Sequence, residues 1–384
     1  MYDDELPVYI IPEFSSSSSS GGFEFLAFVA LAALEEDTGS SSTNPRRYIW
    51  RDRHSTHERL MNMYFVDEPM FEDDVFRQRY RMSRRLFLKI VEDITTAFPW
   101  FRSSANAACI RGFSAIQKCM FALRQLAYGN LADNYDEGLS FSTRTTRECL
   151  DNFCIAIKYL YGEEYLRSPT SHDVACLYEA HESRHHFPGM IGSIDCNHWS
   201  WRNCPHSLRG QYHWGDHDRP TIILEFIPEV NGKSPEYGFT VNGHRYDRGY
   251  YLGDGIYPLW SCFLKAYAYP VARKEKVLKK LQESARKDVE RAFRLLNNKW
   301  AIIERPARMR DKEKIINEMY VCVILYNMIL KDDGNAISPV YIRDPPNDIR
   351  ATDPNFLYRL RNEETHYMLR REITEHMGDL DIDV

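Results

Sequence analysis

The sequence predicts a mixed α/β fold, in which an all-helical N-terminal part precedes an α/β layer. Up to residue 187, apolar residues recur at helical spacing within segments that carry helix-start and helix-end signals. From Met190 onwards, short apolar runs between Gly-, Pro-, Asn- and His-rich turns predict strands, and helical periodicity returns after residue 259. Strands followed by helices are typical of an α/β layer.

The first 44 residues differ from the rest in composition. They contain eight acidic residues, a run of serines and no Lys or Arg. We therefore expect a disordered, acidic tail over 1–44, with one short helix near 23–36. The apolar run from Phe23 to Leu34 is too short to span a bilayer and contains Glu24, so no membrane role is predicted.

Residues 45–187 are predicted to form the helical domain. Thr145, with Glu148 three residues later, is typical of a capping box at a helix start, and Pro188 ends the helical pattern. The predicted helices cover 46–64, 73–98, 114–127, 145–161 and 171–184.

Basic residues concentrate on the predicted helix over 73–98. Between residues 77 and 89 there are six cations and no acid, namely Arg77, Arg79, Arg81, Arg84, Arg85 and Lys89. Placed on one helix, these side chains can neutralise several DNA phosphates, with 145–161 as a candidate recognition helix. The alternative is a helical bundle that only supports the rest of the chain, because its apolar stripes are sufficient for packing.

Charge is strongly segregated along the chain although the formal net charge is only −6. Residues 45–331 carry a net charge of +8, and 265–314 alone carry +9. A basic centre between acidic ends suits a polyanionic partner such as DNA, whereas a solvated helical face explains any single cluster equally well. Residues 334–384 are predicted to form an acidic C-terminal tail.

The nine cysteines are scattered singly, without a CxxC pair. This pattern, with no basic N-terminal stretch of a signal peptide, predicts free thiols in a reducing compartment. A zinc site at Cys196, His198, Cys204 and His206 is an alternative that the close ligand spacing disfavours.

The predicted α/β layer covers 188–333. Its predicted strands are Met190–Asp195, Thr221–Ile227, Gly238–Val241 and Arg248–Gly253, and its predicted helices cover 259–266, 272–299 and 312–330.

Two aspartates follow predicted strands. Asp195 ends the run from Met190 to Ile194, and Asp254 follows Tyr250-Tyr251-Leu252-Gly253. A buried aspartate without a partner is costly, so each must be capped, paired or bound to a metal. Without further information, both would be read as turn residues.

Glu290 lies inside the predicted helix over 272–299, beside the apolar stripe that contains Val289 and Ala292. Arg286, Glu290 and Arg294 repeat at four-residue spacing, and this pattern on its own fits a surface ion-pair ladder. A glutamate at the edge of the stripe can equally face the two aspartates. Asp288 is its nearest rival for that role.

The sequence around these carboxylates resembles that of the DDE nuclease domain of PIF/Harbinger-type transposases and their plant transposase-derived relatives. The matching segments are Gly192–Pro205, Tyr250–Pro258 and Ser284–Phe293. The resemblance implies a helix-turn-helix-like domain over 45–187 and an RNase H-like nuclease domain over 188–333.

The same resemblance implies a site and partners. Asp195, Asp254 and Glu290 would be the catalytic residues and the ligands of a divalent metal ion, Mg²⁺ or Mn²⁺, which activates a water for attack on a DNA phosphodiester. Lys287 and Arg291 would contact phosphates. DNA is the expected partner, in the nucleus, together with a Myb-like DNA-binding protein or a chromatin complex.

The chain departs from this family in two ways. Asp254 follows Asp195 by only 59 positions, because a strand and helix expected after Phe226 are absent. Tyr326 stands where the family usually has histidine. The sequence therefore leaves two functions open, an active metal-dependent DNA endonuclease and a domesticated, catalytically impaired nuclear protein associated with DNA or chromatin.

Overall fold

Helical and α/β parts follow one another in the computed structural model, which describes residues 51–103, 111–132, 141–213, 215, 217–224, 235, 237–344 and 356–380. The mixed α/β class is confirmed at this coarse level. The predicted tail over 1–44 lies outside the described residues. Among those described, no helix combines the length and the apolar character that crossing a membrane requires.

The helices of the first half are α1 (Arg53–Tyr64), α2 (Asp73–Tyr80), α3 (Arg84–Ala97), α4 (Ala115–Tyr128), α5 (Thr143–Tyr165) and α6 (Ser171–His185). The first five of them share one core, whereas the buried side chains of α6 belong to a second core. The later helices are α7 (Arg209–Tyr212), α8 (Arg273–Lys299), α9 (Ala301–Glu304), α10 (Lys312–Asp332), α11 (Phe356–Leu360) and α12 (Glu363–Gly378). The strands are β1 (Met190–Ser193), β2 (Asn197–Ser200), β3 (Thr221–Leu224), β4 (Phe239–Val241), β5 (His244–Tyr246), β6 (Tyr250–Gly253) and β7 (Phe263–Lys265).

The predicted single helix over 73–98 is wrong. Arg81 adopts the left-handed conformation, with φ at 66°, and ends α2. Ser83 then starts α3, because its side chain accepts a hydrogen bond from the backbone N–H of Leu86 at 3.1 Å. Such a cap satisfies a backbone donor that the first helical turn leaves unpaired.

The start of α5 also differs from the prediction. Ser142 is the N-cap and accepts from the backbone N–H of Thr145 at 3.2 Å, so the helix begins at Thr143. Glu148 pairs with Arg144 at 2.8 Å and does not complete the predicted capping box.

Three parallel strands form the sheet that carries the site, in the order β1-β6-β7. β2 and β3 form a separate antiparallel pair, and β4 and β5 form a hairpin. The predicted helix over 259–266 is wrong, since residues 263–265 form β7 and pair with β6. Phe263 and Leu264 are both fully buried, and periodicity cannot distinguish so short an apolar run from a helix segment.

Two large hydrophobic cores hold the described residues together, beside a small third cluster of Phe113, Phe121, Phe141 and Cys149. The first joins the N-terminal helices to β2, α8, α9 and α10, and contains Phe87 and Phe153 together with Trp201, Trp300 and Ile324. The second lies around the parallel sheet and takes side chains from α6, α8 and α12. α8 contributes to both cores, because its buried stripe continues along 27 residues.

The segment predicted as an acidic C-terminal tail is folded over 356–380. α12 buries Leu369, Ile373 and Met377 in the second core, and it packs against α8 and β7. These three residues recur every fourth position and so form one face of the helix. The acidic composition of the segment concealed this stripe.

Candidate active site

Asp195 and Asp254 lie at the same edge of the parallel sheet. β1 and β6 are neighbouring strands, with Ser193 opposite Leu252. Asp254 directly follows β6, and Asp195 comes two residues after the end of β1. The carboxyl ends of parallel strands meet at one edge of a sheet, which is where open α/β sheets bind ligands. The sheet therefore brings the two aspartates together.

Glu290 reaches the same region from α8. This helix packs against β1 and β6 through a stripe that includes Ala285 and Val289, and Glu290 is the next residue along the chain. Glu290 and Asp195 line one cavity of about 340 Å³. Asp254 is not part of that lining.

Electrostatics link the three carboxylates. Burial raises the pKa of Asp195, and the negative charges of Asp254 and Glu290 raise it further. The backbone N–H of Cys196, which donates to Asp195 at 2.9 Å, and the Arg286 guanidinium act in the opposite direction. The pKa of Asp195 stays above its ordinary value because burial outweighs these two contacts.

Arg286 provides the positive charge at this site. It lies one helical turn before Glu290, and its Nη2 atom is 3.7 Å from Oδ2 of Asp254. Its side chain is largely buried, and its Nε has no hydrogen-bond partner among the described residues. The predicted ladder with Glu290 and Arg294 is therefore replaced, at Arg286, by a contact with the sheet edge.

A magnesium or manganese ion suits the donor set, because hard cations prefer carboxylate and amide oxygens. The described residues contain no group of three His, Cys, Asp or Glu side chains close enough to hold a metal ion. Asp195, Asp254 and Glu290 could therefore hold an ion only after their side chains move closer together.

Asp288, the rival of Glu290, faces a different element. His185 of α6 lies 2.7 Å from its carboxylate. Burial opposes ionisation of Asp288, but the His185 hydrogen bond and the nearby positive charges outweigh it, so its pKa lies below the ordinary value. Asp288 thus ties α8 to α6, whereas Glu290 lines the cavity.

Sequence reasoning missed several residues around the cavity. Asn197, Asn297, Asn298 and Glu304 line it with Asp195 and Glu290. Asn297 and Asn298 lie two helical turns after Glu290, so helical spacing could have identified them. Glu304 belongs to the short helix α9, which was not among the helices predicted from the sequence.

The residues of the zinc alternative are separated in the fold. The Sγ atom of Cys196 lies 3.4 Å from the hydroxyl of Tyr257, and Nδ1 of His198 lies 2.9 Å from the hydroxyl of Thr221. Cys204 is buried beyond the end of β2. Cys204 and His206 line a cavity that does not include Cys196 or His198, so the four side chains do not form one ligand group.

The arginines predicted to bind DNA from the N-terminal half are engaged within the protein. Arg77 and Arg85 form ion pairs with the end of α10, and Arg84 pairs with Asp73 at 2.7 Å. Arg79 lies over the ring of Phe71, and Arg81 over that of Tyr128. On α8, Lys287 and Arg291 are exposed, and Arg291 lies 3.9 Å from Asp288. Contact of any of these residues with DNA stays a prediction.

Comparison with known families gives two matches. The plant transposon protein family matches residues 163–231 and again 226–337, and a domain of unknown function (DUF8418) matches 57–95. No curated protein and no solved structure matches the chain. The transposon matches support a transposase-derived origin and include all three predicted carboxylates. The two matched segments overlap at residues 226–231.

Proposed function

We propose that this chain, transposase-derived by its family matches, is a divalent-metal-dependent endonuclease that hydrolyses DNA phosphodiester bonds. The observation that carries the proposal is the arrangement of Asp195, Asp254 and Glu290. Two of them follow adjacent parallel strands, and the third lies on a helix packed against both strands. We extend the proposal to an RNase H-like fold for this part of the chain.

Each group has a defined task under this proposal. A bound Mg²⁺ or Mn²⁺ ion supplies Lewis-acid stabilisation of phosphate charge and lowers the pKa of water. Asp195, Asp254 and Glu290 hold the ion, and its charge favours the ionised form of Asp195, which burial opposes. Lys287 and Arg291, both exposed on α8, contact phosphates beside the cleaved bond.

The test is nicking of supercoiled plasmid DNA in the presence of Mg²⁺ or Mn²⁺. The Asp195→Asn, Asp254→Asn double variant and the single variant Glu290→Gln are expected to lose at least 100-fold in rate, the order of loss expected when transition-state stabilisation is removed. Glu283→Gln is the matched control, since it removes an exposed carboxylate from the same helix.

The proposal is supported if the wild type and the control nick DNA in a metal-dependent way and both the double variant and the Glu290→Gln variant do not. Full activity in the double variant contradicts it, because a contaminating nuclease would then explain the nicking. Circular dichroism melting curves of all variants check that each one is folded at the assay temperature, so that unfolding is not mistaken for loss of catalysis.

A second candidate function is a catalytically impaired protein that associates with DNA or chromatin in the nucleus, with a Myb-like partner. The contact between Arg286 and Asp254 favours it, since an arginine already neutralises part of the carboxylate charge. Under this candidate, the wild type binds duplex DNA but neither nicks it nor binds Mn²⁺ at millimolar concentration. An electron paramagnetic resonance titration with Mn²⁺ separates the two functions.

A further inference from the structure

Four arginines line two adjoining cavities beyond the end of β2. Their volumes are about 510 and 490 Å³, and they share Arg202 and Arg209. Arg219 lines the first cavity and Arg310 the second. All four arginines are exposed, and Asp218 is the one carboxylate among the described lining residues. The surface is therefore strongly cationic.

Two of these arginines directly follow the residues that pair β2 with β3. β2 and β3 pair in antiparallel fashion, and the backbone N–H of Trp201 donates to the carbonyl of Pro220 at 2.7 Å, which continues the pairing by one residue. Arg202 and Arg219 are the next residues along the two segments, and both line the first cavity. The end of this strand pair therefore presents two cationic side chains to one cavity.

The backbone that presents these arginines is held rigidly. Trp201 is fully buried, and its Nε1 donates to the carbonyl of Met309 at 2.7 Å. The backbone N–H of Arg202 donates to the carbonyl of Ala307 at 2.9 Å, which fixes this segment against the one that leads to Arg310. A pre-organised surface loses less conformational entropy when it binds a ligand.

We propose that Arg202, Arg209, Arg219 and Arg310 form a binding surface for the phosphate backbone of duplex DNA. The planar guanidinium fork matches phosphate oxygens in geometry and charge. This inference rests on the proposed function, since it identifies the surface that holds the nuclease's substrate.

The distance between this surface and the carboxylates suits one duplex. Arg202 follows Asp195 by seven positions along the chain, a span of at most about 25 Å. The DNA duplex rises ~3.4 Å per base pair along its axis, so this span covers about seven base pairs. A single duplex can contact the arginines and the carboxylate cavity within one helical turn.

The experiment measures binding of the full chain to a fluorescein-labelled 24-base-pair duplex in EDTA, by anisotropy at several salt concentrations. In the Arg202→Gln, Arg209→Gln variant, the slope of log K against log salt is expected to fall in magnitude by about 1.8, at ~0.9 per lost phosphate contact. Affinity at 0.2 M salt falls on the order of 20-fold. The control is Arg144→Gln, Arg343→Gln, which removes the same charge from two exposed arginines elsewhere.

The proposed binding surface is supported if the salt slope is smaller in magnitude in the first variant while the affinity of the control variant stays within twofold of wild type. An unchanged slope in the first variant overturns it, and so does an equal loss in the control, because net charge alone would then explain binding. If single-stranded RNA displaces the duplex better than unlabelled duplex does, the DNA assignment is overturned. EDTA removes cleavage from the measurement, so a protein that binds through these arginines but never nicks DNA contradicts the proposed function alone.

Discussion

At the scale of single residues, the folded chain opposes ionisation of Asp195 in the candidate site. Burial raises its pKa, and the neighbouring carboxylates add to this effect. The unfolded value is near 3.9. Between these two pKa values the native state binds more protons than the unfolded state, so this residue's contribution to stability falls as pH rises through that window.

Replacing Asp195 by asparagine is expected to stabilise the metal-free protein at pH 7. The gain should be measurable at pH 7 and should become small at about pH 3, below the unfolded pKa, where the wild-type side chain is largely protonated in both states. The amide oxygen can still accept from the N–H of Cys196. Urea unfolding at both pH values measures the effect. Equal stability of the two proteins at pH 7 would refute this reasoning.

Arg286 sets the charge balance of the same site. Replacing it by glutamine is expected to tighten Mn²⁺ binding by roughly fivefold to tenfold, because the positive charge of Arg286 opposes a cation at the carboxylates. Two unit charges about 4 Å apart interact by ~1 kcal/mol in water and by more near a protein surface. Electron paramagnetic resonance titration provides the measurement.

The control for Arg286 is Arg273→Gln. It removes the same charge from an exposed position on α8, thirteen residues earlier and about 20 Å away. Weaker Mn²⁺ binding in the Arg286 variant would mean that the guanidinium helps to organise the carboxylates and does not compete with the ion.

At the scale of elements, long periodic segments were predictable and short ones were not. α8 was predicted over 272–299 and is observed over 273–299, because its apolar stripe repeats for seven turns. β7 has three residues, too few to show a period. The break between α2 and α3 depends on the left-handed backbone of Arg81, a residue type that gives no such signal.

The candidate site was also predictable only in part. The strand-end positions of Asp195 and Asp254 were predictable from local sequence, since each closes a short apolar run. The contact of Arg286 with Asp254 was not, because it depends on how α8 is rotated against the sheet. The cavity wall from α9 also depends on packing between elements distant in sequence.

α12 offers a test of the packing assigned to the C-terminal segment. Leu369→Ala and Ile373→Ala should each lower the free energy of unfolding by about 2–4 kcal/mol, because both side chains are almost fully buried. Met368→Ala on the same helix, where the side chain is 41% exposed, should change it by less than about 0.5 kcal/mol. Guanidinium unfolding measures all three. Similar values for all three variants would show that α12 is not packed in solution.

At the scale of the whole molecule, α12 bears on the expectation of an uncovered sheet face. The resemblance implied that the sequence lacks an edge strand and helix after Phe226, which would expose an apolar sheet face. The three-stranded sheet contacts α6, α8 and α12. A helix from the C-terminal part of the described chain thus covers part of this sheet.

The first hydrophobic core also limits how such a chain can change during evolution. Its members come from both sides of residue 188, so the N-terminal helices depend on Trp201, Trp300 and α10 to complete their packing. A lineage that kept only the N-terminal helices would expose the face of α5 that α10 covers. Selection on the N-terminal helices alone would therefore still preserve β2, α8 and α10, and with them much of the framework around Glu290.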